Sequence, residues 1–202
     1  MADESPSLFQ QLNTAFGSTG LAARTREARA WFIEKVKELN GRINRNKLLT
    51  SPELKLKKTP QWGFMYMFVY DAKHKDVLPY WDRFPLIIMT EPAEDGFCGI
   101  NLHYLHPNIR AIFLDKLMST IKGKDLNERT RLRLRYQLLK SVRKYREFAP
   151  CYKRYLFKHV RTRIAQVPAD QWDVAIFLPT EHFKGASKTK VWAESKKQYL
   201  QK

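Results

Sequence analysis

Cysteine and long apolar runs are both scarce in this chain. Its 202 residues include two cysteines, Cys98 and Cys151, too few for a disulfide scaffold, which fits a reducing intracellular compartment. No stretch approaches the roughly 18 consecutive apolar residues of a membrane span. The first residues, MADESPSLFQ, lack the basic and apolar regions of a secretory signal, so we expect neither export nor a membrane partner.

The signature motifs of several enzyme classes are missing too. The chain has no P-loop, no G-x-G-x-x-G and no G-x-S-x-G, and its two cysteines lack the C-x-x-C spacing of a zinc site. We therefore predict a protein that is not an enzyme and that takes no cofactor or metal.

One H-x-x-H pair, His103 and His106, lies near Asp82 and Asp115 in the sequence. A metal-dependent nuclease needs several carboxylates converging on Mg²⁺. These acids show no D-x-D or E-x-K pattern, so we favour histidines that are hydrogen-bonded in or near the core over a metal centre.

Positive charge is abundant and unevenly distributed. The chain has 37 Lys plus Arg against 20 Asp plus Glu, a net charge of +17. Residues 122–163 alone hold 15 basic and 3 acidic residues, or +12. A solvated face that only maintains solubility would usually mix both signs, whereas this segment has the charge of a polyanion binder. The segment is also rich in Arg, whose forked donors match phosphate.

We predict that the basic segment binds the phosphates of double-stranded DNA. The predicted DNA-binding residues are Arg129, Arg131, Arg133, Arg135, Lys140, Arg143, Lys144, Arg146, Lys153, Arg154, Lys158 and Arg161.

The fold class predicted from the sequence is α+β. Apolar, β-branched and aromatic stretches predict strands at 64–70, 85–90, 97–104 and 163–167. Because a few short strands leave an exposed sheet edge, we predict a small SH3-like β-barrel, closed by 163–167, or a bent antiparallel sheet. Gly99 is a candidate for a β-bulge.

Helical spacing of apolar residues predicts several packed helices, at 7–16, 25–40, 107–121, 125–148, 151–161 and 168–178. The helices at 125–148 and 151–161 are strongly basic. Within the first of them, RLRLRY alternates with a period of two and also fits a strand, although a helix fits the longer window better.

Composition divides the chain into three parts. Residues 1–63 form a helical region followed by a poorly packed basic arm at 42–60. Residues 64–180 form the barrel, with the basic helices of about 122–163 inserted in it. Residues 181–202 form a basic tail that is mobile at its end.

Four aromatic residues flank the connections of the predicted sheet: Tyr80, Trp81, Phe84 and Phe97. Exposed rings beside basic residues can stack on nucleic-acid bases. Such rings more often belong to the core, however, so we favour a role in closing the barrel mouth.

Three segments together resemble a known family. The first runs over 70–117 and contains LPYWDRFPL and GINLHYLHP; the others are FAPCYKRYLFKHVRTRI at 148–164 and WDVAIFLPTEHFKGASKTKV at 172–191. They resemble the DNA end protector proteins of large T-even-like tailed phages. The resemblance covers roughly 64–195.

The resemblance implies a virion protein of the phage head or neck, present in the host cytoplasm during assembly. It would bind the termini of packaged linear DNA, shield them from exonuclease and help complete the head, with portal or neck proteins as further partners. Preference for a terminus needs more than charge, and the candidates for stacking on the last base pair are Trp81 and Phe84.

Two other functions stay open at this point. The protein could be a structural head or neck protein whose basic face docks on the portal without specific DNA binding. It could also be a nuclease, because SH3-like barrels with basic surfaces occur among RNA-cleaving toxins, although a shared fold is a weak argument for a shared activity.

We expect DNA affinity to fall steeply with salt, because binding that neutralises phosphates releases counterions. If about six phosphates are neutralised, log K should fall against log salt with a slope of roughly −5. A titration of linear duplex DNA measures this slope, and a value near zero would contradict binding through the basic segment.

Overall fold

The structure is a computed structural model that describes residues 6–39, 43–57, 60–119, 137 and 146–200. Its α-helices are α1 Leu8–Gly17, α2 Arg26–Lys37, α3 Arg45–Leu49, α4 Pro107–Ser119, α5 Trp172–Ala175 and α6 Lys188–Leu200. Its strands are β1 Lys55–Lys57, β2 Met65–Met67, β3 Trp81–Asp82, β4 Leu86–Ala93, β5 Gly96–Asn101, β6 Tyr152–Leu156, β7 Ile164–Val167 and β8 Phe183–Lys184. Short 3₁₀ segments cover Leu102–Tyr104, Arg146–Cys151, Phe157–His159 and Ala169–Gln171.

A six-stranded antiparallel sheet in the order β1-β7-β2-β4-β5-β6 forms the centre of the molecule. A two-stranded sheet pairs Trp81 of β3 with Lys184 of β8. The register of the large sheet shifts between Met89 and Glu91 on β4, across from Gly99 and Cys98 on β5. The predicted irregularity near Gly99 is therefore present, on the facing strand.

The strands read as continuous apolar runs because the large sheet is buried on both faces. Met65 and Met67 of β2 face the larger core, which the helices cover. Tyr66, between them, faces a smaller cluster in which the rings of Phe68, Phe97 and Tyr155 meet edge-on or stacked. Alternate residues therefore serve two cores.

The N-terminal helices form where their capping residues and apolar spacing predict. Ser7 and Thr25 accept hydrogen bonds from the backbone N–H groups at the starts of α1 and α2. Phe32 of α2 stacks on Phe177, with ring centroids 5.2 Å apart. Among the residues that the structure describes, no helix is long and apolar enough to cross a bilayer.

The α+β class is confirmed, but the closed barrel is wrong. Residues 164–167 form β7, which inserts between β1 and β2 instead of sealing the sheet. Within the described ranges no strand pair joins the outer strands β1 and β6, so the sheet stays open.

The second predicted basic helix, 151–161, is also wrong. Residues 152–156 form β6, in which Tyr155 pairs with Phe97 of β5 and its ring enters the smaller aromatic cluster. Burial of that ring in the sheet outweighs the helical spacing seen in the sequence. The first predicted basic helix lies almost entirely outside the described residues.

The predicted poorly packed arm and the predicted basic tail both contribute residues to the fold. Within the predicted arm, Leu48, Leu49 and Leu54 are buried, and β1 joins the sheet edge. Within the predicted tail, α6 buries Val191, and the Trp192 Nε1 donates to the His103 carbonyl at 2.8 Å. The three-part division of the chain stays a prediction, although the larger core takes residues from all three parts.

We predict that Leu102→Ala and Trp172→Ala lower stability, because both side chains are buried in the larger core. Each truncation should cost about 2–5 kcal/mol. The free energy of unfolding in urea measures the loss. The control is Ile112→Ala, whose side chain is 44% exposed and whose cost should stay within about 0.5 kcal/mol. Equal costs for all three variants would contradict the assignment of the core.

Candidate nucleic-acid interface

The structure describes only part of the predicted DNA-binding set. Arg129, Arg131, Arg133, Arg135, Lys140, Arg143 and Lys144 lie outside the described residues, and only the backbone of Arg146 is described. Lys153 and Arg154 lie on β6, Lys158 in the following 3₁₀ segment, and Arg161 shortly after it. Lys153 and Arg154 thus lie on the outermost strand of the large sheet, and Lys158 and Arg161 lie on the segment that follows it.

The loop of residues 71–80 lies beside this edge, although it is distant in sequence. The Asp71 N–H donates to the His159 carbonyl at 3.0 Å, and Tyr70 forms a β-bridge with Val160. The Asp71 carboxylate accepts hydrogen bonds from Arg161 at 3.2 Å and from Lys75 at 3.3 Å. The loop and β6 thus present their basic residues on neighbouring surfaces.

Between the loop and β6 opens a cavity of about 440 Å³, which we call the basic cleft. Its cationic or potentially cationic side chains are Lys73, His74, Lys153 and Arg154, and its rings are Tyr70, Tyr80, Trp81, Tyr104 and Tyr155. Cations that compensate phosphate charge and rings that can stack on bases are the two components of single-stranded nucleic-acid sites.

Lys153 is the most enclosed of these cations. Its Nζ lies 4.3 Å from the centroid of the Tyr104 ring, a cation–π distance. Burial lowers the pKa of the Lys153 ammonium, with partial opposition from Cys151. Arg154 is exposed, and its Nη2 donates to the Glu94 carbonyl at 2.7 Å, which orients the guanidinium along the cleft edge.

The tyrosines of the cleft stay neutral under ordinary conditions. Burial raises the pKa of Tyr80 to about 12, with a further contribution from Glu194. Burial also raises the pKa of Tyr104 and of Tyr155. None of these rings therefore adds a negative charge that would repel a phosphate.

A buried polar network forms the floor of the cleft. The Asp82 carboxylate lies 2.7 Å from the His103 Nδ1 and accepts a hydrogen bond from the Asn101 Nδ2 at 3.0 Å. The same Asn101 amide donates to the Tyr155 hydroxyl at 3.1 Å, and the His103 Nε2 lies 3.0 Å from the Thr180 Oγ1. The predicted structural role of His103 is confirmed, since it is buried and fully bonded.

His106 has a different environment, because its side chain is exposed and its ring meets the Trp192 ring edge-on. The described part of the chain contains no group of three or more His, Cys, Asp or Glu residues that could hold a metal ion.

The two predicted stacking residues differ in access. Trp81 is half-buried and lines the basic cleft. Phe84 is 1% exposed and packs in the larger core, so its ring does not reach the surface. Phe84 is therefore a core residue and no longer a stacking candidate, although it closes no barrel mouth, because the sheet is open.

Sequence reasoning missed Lys73, His74 and the burial of Lys153. Lys73 and His74 lie in a polar loop within residues 64–121, which hold slightly more acidic than basic residues. The charge pattern therefore gave no reason to assign them to a DNA-binding site. Lys153 and Tyr155 are two residues apart, the spacing of one face of a strand, and this spacing is the signal that could have indicated β6. The helical spacing of apolar residues over 151–161 favoured a helix instead.

Comparison with known proteins places the chain in a family. A family model described as Phage T4 terminal DNA protecting protein matches residues 7–199. Since the match covers nearly the whole chain, the protein belongs to this family of phage proteins, and a DNA terminus is the partner that its description implies. The resemblance seen in the sequence is confirmed. No curated protein and no solved structure matches the chain.

We predict that the floor of the cleft loses stability in acid. Burial would raise the pKa of Asp82, but the electrostatic interaction with His103 and the hydrogen bonds from His103, Asn101 and the Phe84 N–H outweigh burial and lower it. A lowered carboxyl pKa stabilises the fold above the ordinary value of about 4. This contribution is lost as the pH falls through the lowered folded-state pKa.

Asp82→Asn should therefore cost about 3–5 kcal/mol at neutral pH, because it removes the buried negative charge that His103, Asn101 and two backbone N–H groups compensate. The difference from the parent should shrink as the pH falls below about 4. Urea unfolding across this pH range measures both quantities, with the exposed Asp76→Asn as control. A difference that is independent of pH would contradict an ionised Asp82.

Proposed function

We propose that this protein is a non-enzymatic virion component that caps the ends of packaged linear double-stranded DNA. It shields these ends from exonuclease and helps to complete the phage head. The observation that carries the proposal is the basic cleft, which joins cations and aromatic rings on a chain of the terminal DNA protecting family.

Protection is steric in this proposal. An exonuclease must thread the last nucleotides of a strand into its active site, so a protein that covers them blocks the enzyme without chemistry of its own. Contacts with phosphates supply most of the affinity and little sequence preference. Lys153, Arg154, Lys158 and Arg161, together with the predicted arginines of 129–146, supply these contacts.

The proposal also includes where the protein acts and which proteins it contacts while the head is completed. The protein acts in the virion, at the head or neck, and is present in the host cytoplasm while particles assemble. It also contacts portal or neck proteins there. A pull-down with those proteins from nuclease-treated extract tests this contact, because an interaction that is bridged by DNA disappears under nuclease.

The test of end capping is a comparison of linear with closed circular DNA of the same sequence. The protein should bind the linear form more tightly and should slow its digestion by an exonuclease. Equal affinity for both forms would contradict end capping. Cleavage of DNA or RNA by the protein, with or without Mg²⁺, would contradict the non-enzymatic role.

Trp81→Ala should reduce the preference for linear DNA while most of the overall affinity remains. A terminal base pair exposes one free face, and stacking of an aromatic ring on a base is worth about 1–3 kcal/mol. Internal base pairs offer no such face. The measurement is the ratio of affinities for linear and circular DNA, after circular dichroism has shown that the variant folds.

Trp62→Ala is the matched control, because Trp62 is 38% exposed and is not among the residues that line the basic cleft. It should leave the preference unchanged. If the folded Trp81 variant protects linear DNA as well as the parent does, Trp81 does not contact the terminal base pair.

A further inference from the structure

Lys153 is a half-buried cation on the wall of the basic cleft. Among the described residues its close partner is the ring of Tyr104, and none of the ion pairs found there includes Lys153. Half-burial makes this charge costly, because a cation loses hydration without gaining a counter-ion. An anion that entered the basic cleft would compensate the lost hydration of the Lys153 ammonium by an ion pair.

Asp82 also lines the cleft, but its charge is already compensated. Its carboxylate accepts hydrogen bonds from the backbone N–H groups of Phe84 at 3.0 Å and His182 at 3.2 Å. It is also bonded to Asn101 and His103. With this carboxylate satisfied and 4% exposed, the accessible charge of the cleft is positive.

The size of the cleft limits what can enter. Its volume of about 440 Å³ lies within the range of about 300–1,000 Å³ that is usual for small-molecule sites. A whole duplex is too wide for such a cavity, so a terminal base pair stays at its mouth, where Trp81 contacts it, and the continuous backbone of an internal strand cannot turn into the cavity and out again. The end of one strand can.

We propose that the basic cleft binds the terminal phosphate of a DNA strand, with Lys153 as its enclosed ligand and Lys73 and Arg154 at the rim. This assignment rests on the proposed function and identifies the chemical group by which an end is distinguished. A terminal phosphate carries a charge of about −1.5 to −2 at neutral pH, against −1 for an internal phosphodiester. Arg154 keeps further N–H donors besides the one bonded to Glu94.

The aromatic residues of the cleft suit the nucleotide that carries this phosphate. Tyr80 and Trp81 are half-buried, and both line the cavity. Stacking on such rings tolerates any base. The cleft would therefore accept an end of any sequence.

The experiment uses a duplex closed by a hairpin at one end, so that a single open end remains. That end carries a 5′-phosphate, a 3′-phosphate or hydroxyl groups alone, and closed circular DNA serves as competitor. The parent protein should prefer one phosphorylated end over the hydroxyl end by about tenfold, the effect of one charge-assisted hydrogen bond. The preferred arm identifies which strand terminus enters the cleft.

Lys153→Met should remove this preference, because it keeps the apolar stem and deletes the charge. The matched control is Lys55→Met, a lysine on β1 at the opposite edge of the same sheet. This control should keep the tenfold ratio. Circular dichroism and urea unfolding show whether both variants are folded.

The outcomes separate this inference from the proposed function. Equal affinity for all three ends overturns the phosphate site, while a retained preference for linear over circular DNA leaves end capping intact. A phosphate preference that survives in folded Lys153→Met also overturns the site. Equal affinity for linear and circular DNA contradicts the proposed function itself.

Discussion

The basic cleft depends on one buried carboxylate, that of Asp82. Donors from three chain segments meet it: the N–H of Phe84 beyond β3, the side chains of Asn101 and His103 at the end of β5, and the N–H of His182 before β8. Since an ionised carboxylate only accepts hydrogen bonds, the His103 Nδ1 must carry a proton. These hydrogen bonds hold the small β3–β8 sheet against the large one.

The network extends from Asp82 to the opposite wall of the cleft. Asn101 donates both to Asp82 and to the Tyr155 hydroxyl, so it ties β3 to β6. Lys153 is two residues from Tyr155 on the same strand and on the same face. A fully satisfied buried network of this kind is rigid. The protein can therefore hold the half-buried Lys153 at a defined position, which a flexible surface loop could not do.

Helices and strands with strong apolar periodicity could be predicted from the sequence, including α1, α2 and α4 and the paired strands β4 and β5. The missed elements have weak local signals. Residues 152–156 are rich in charge and form a strand because β5 offers a partner, and α6 becomes ordered because Val191 and Trp192 find partners near His103. The cleft itself could not be predicted, because its lining joins the polar loop of residues 71–80 to β6, a strand some 80 residues further along the chain.

The central claim is that the end of the DNA, and not its interior, meets the basic cleft. Photo-cross-linking tests it most directly. A duplex with a photoreactive base at its terminal position is compared with one that carries the same base at its centre, and the cross-linked peptides are identified by mass spectrometry. The account predicts that the terminal base cross-links within 70–82 and 152–156, whereas the central base does not. Cross-links from the terminal base only to α1 and α2, or the same peptides from both probes, would contradict it.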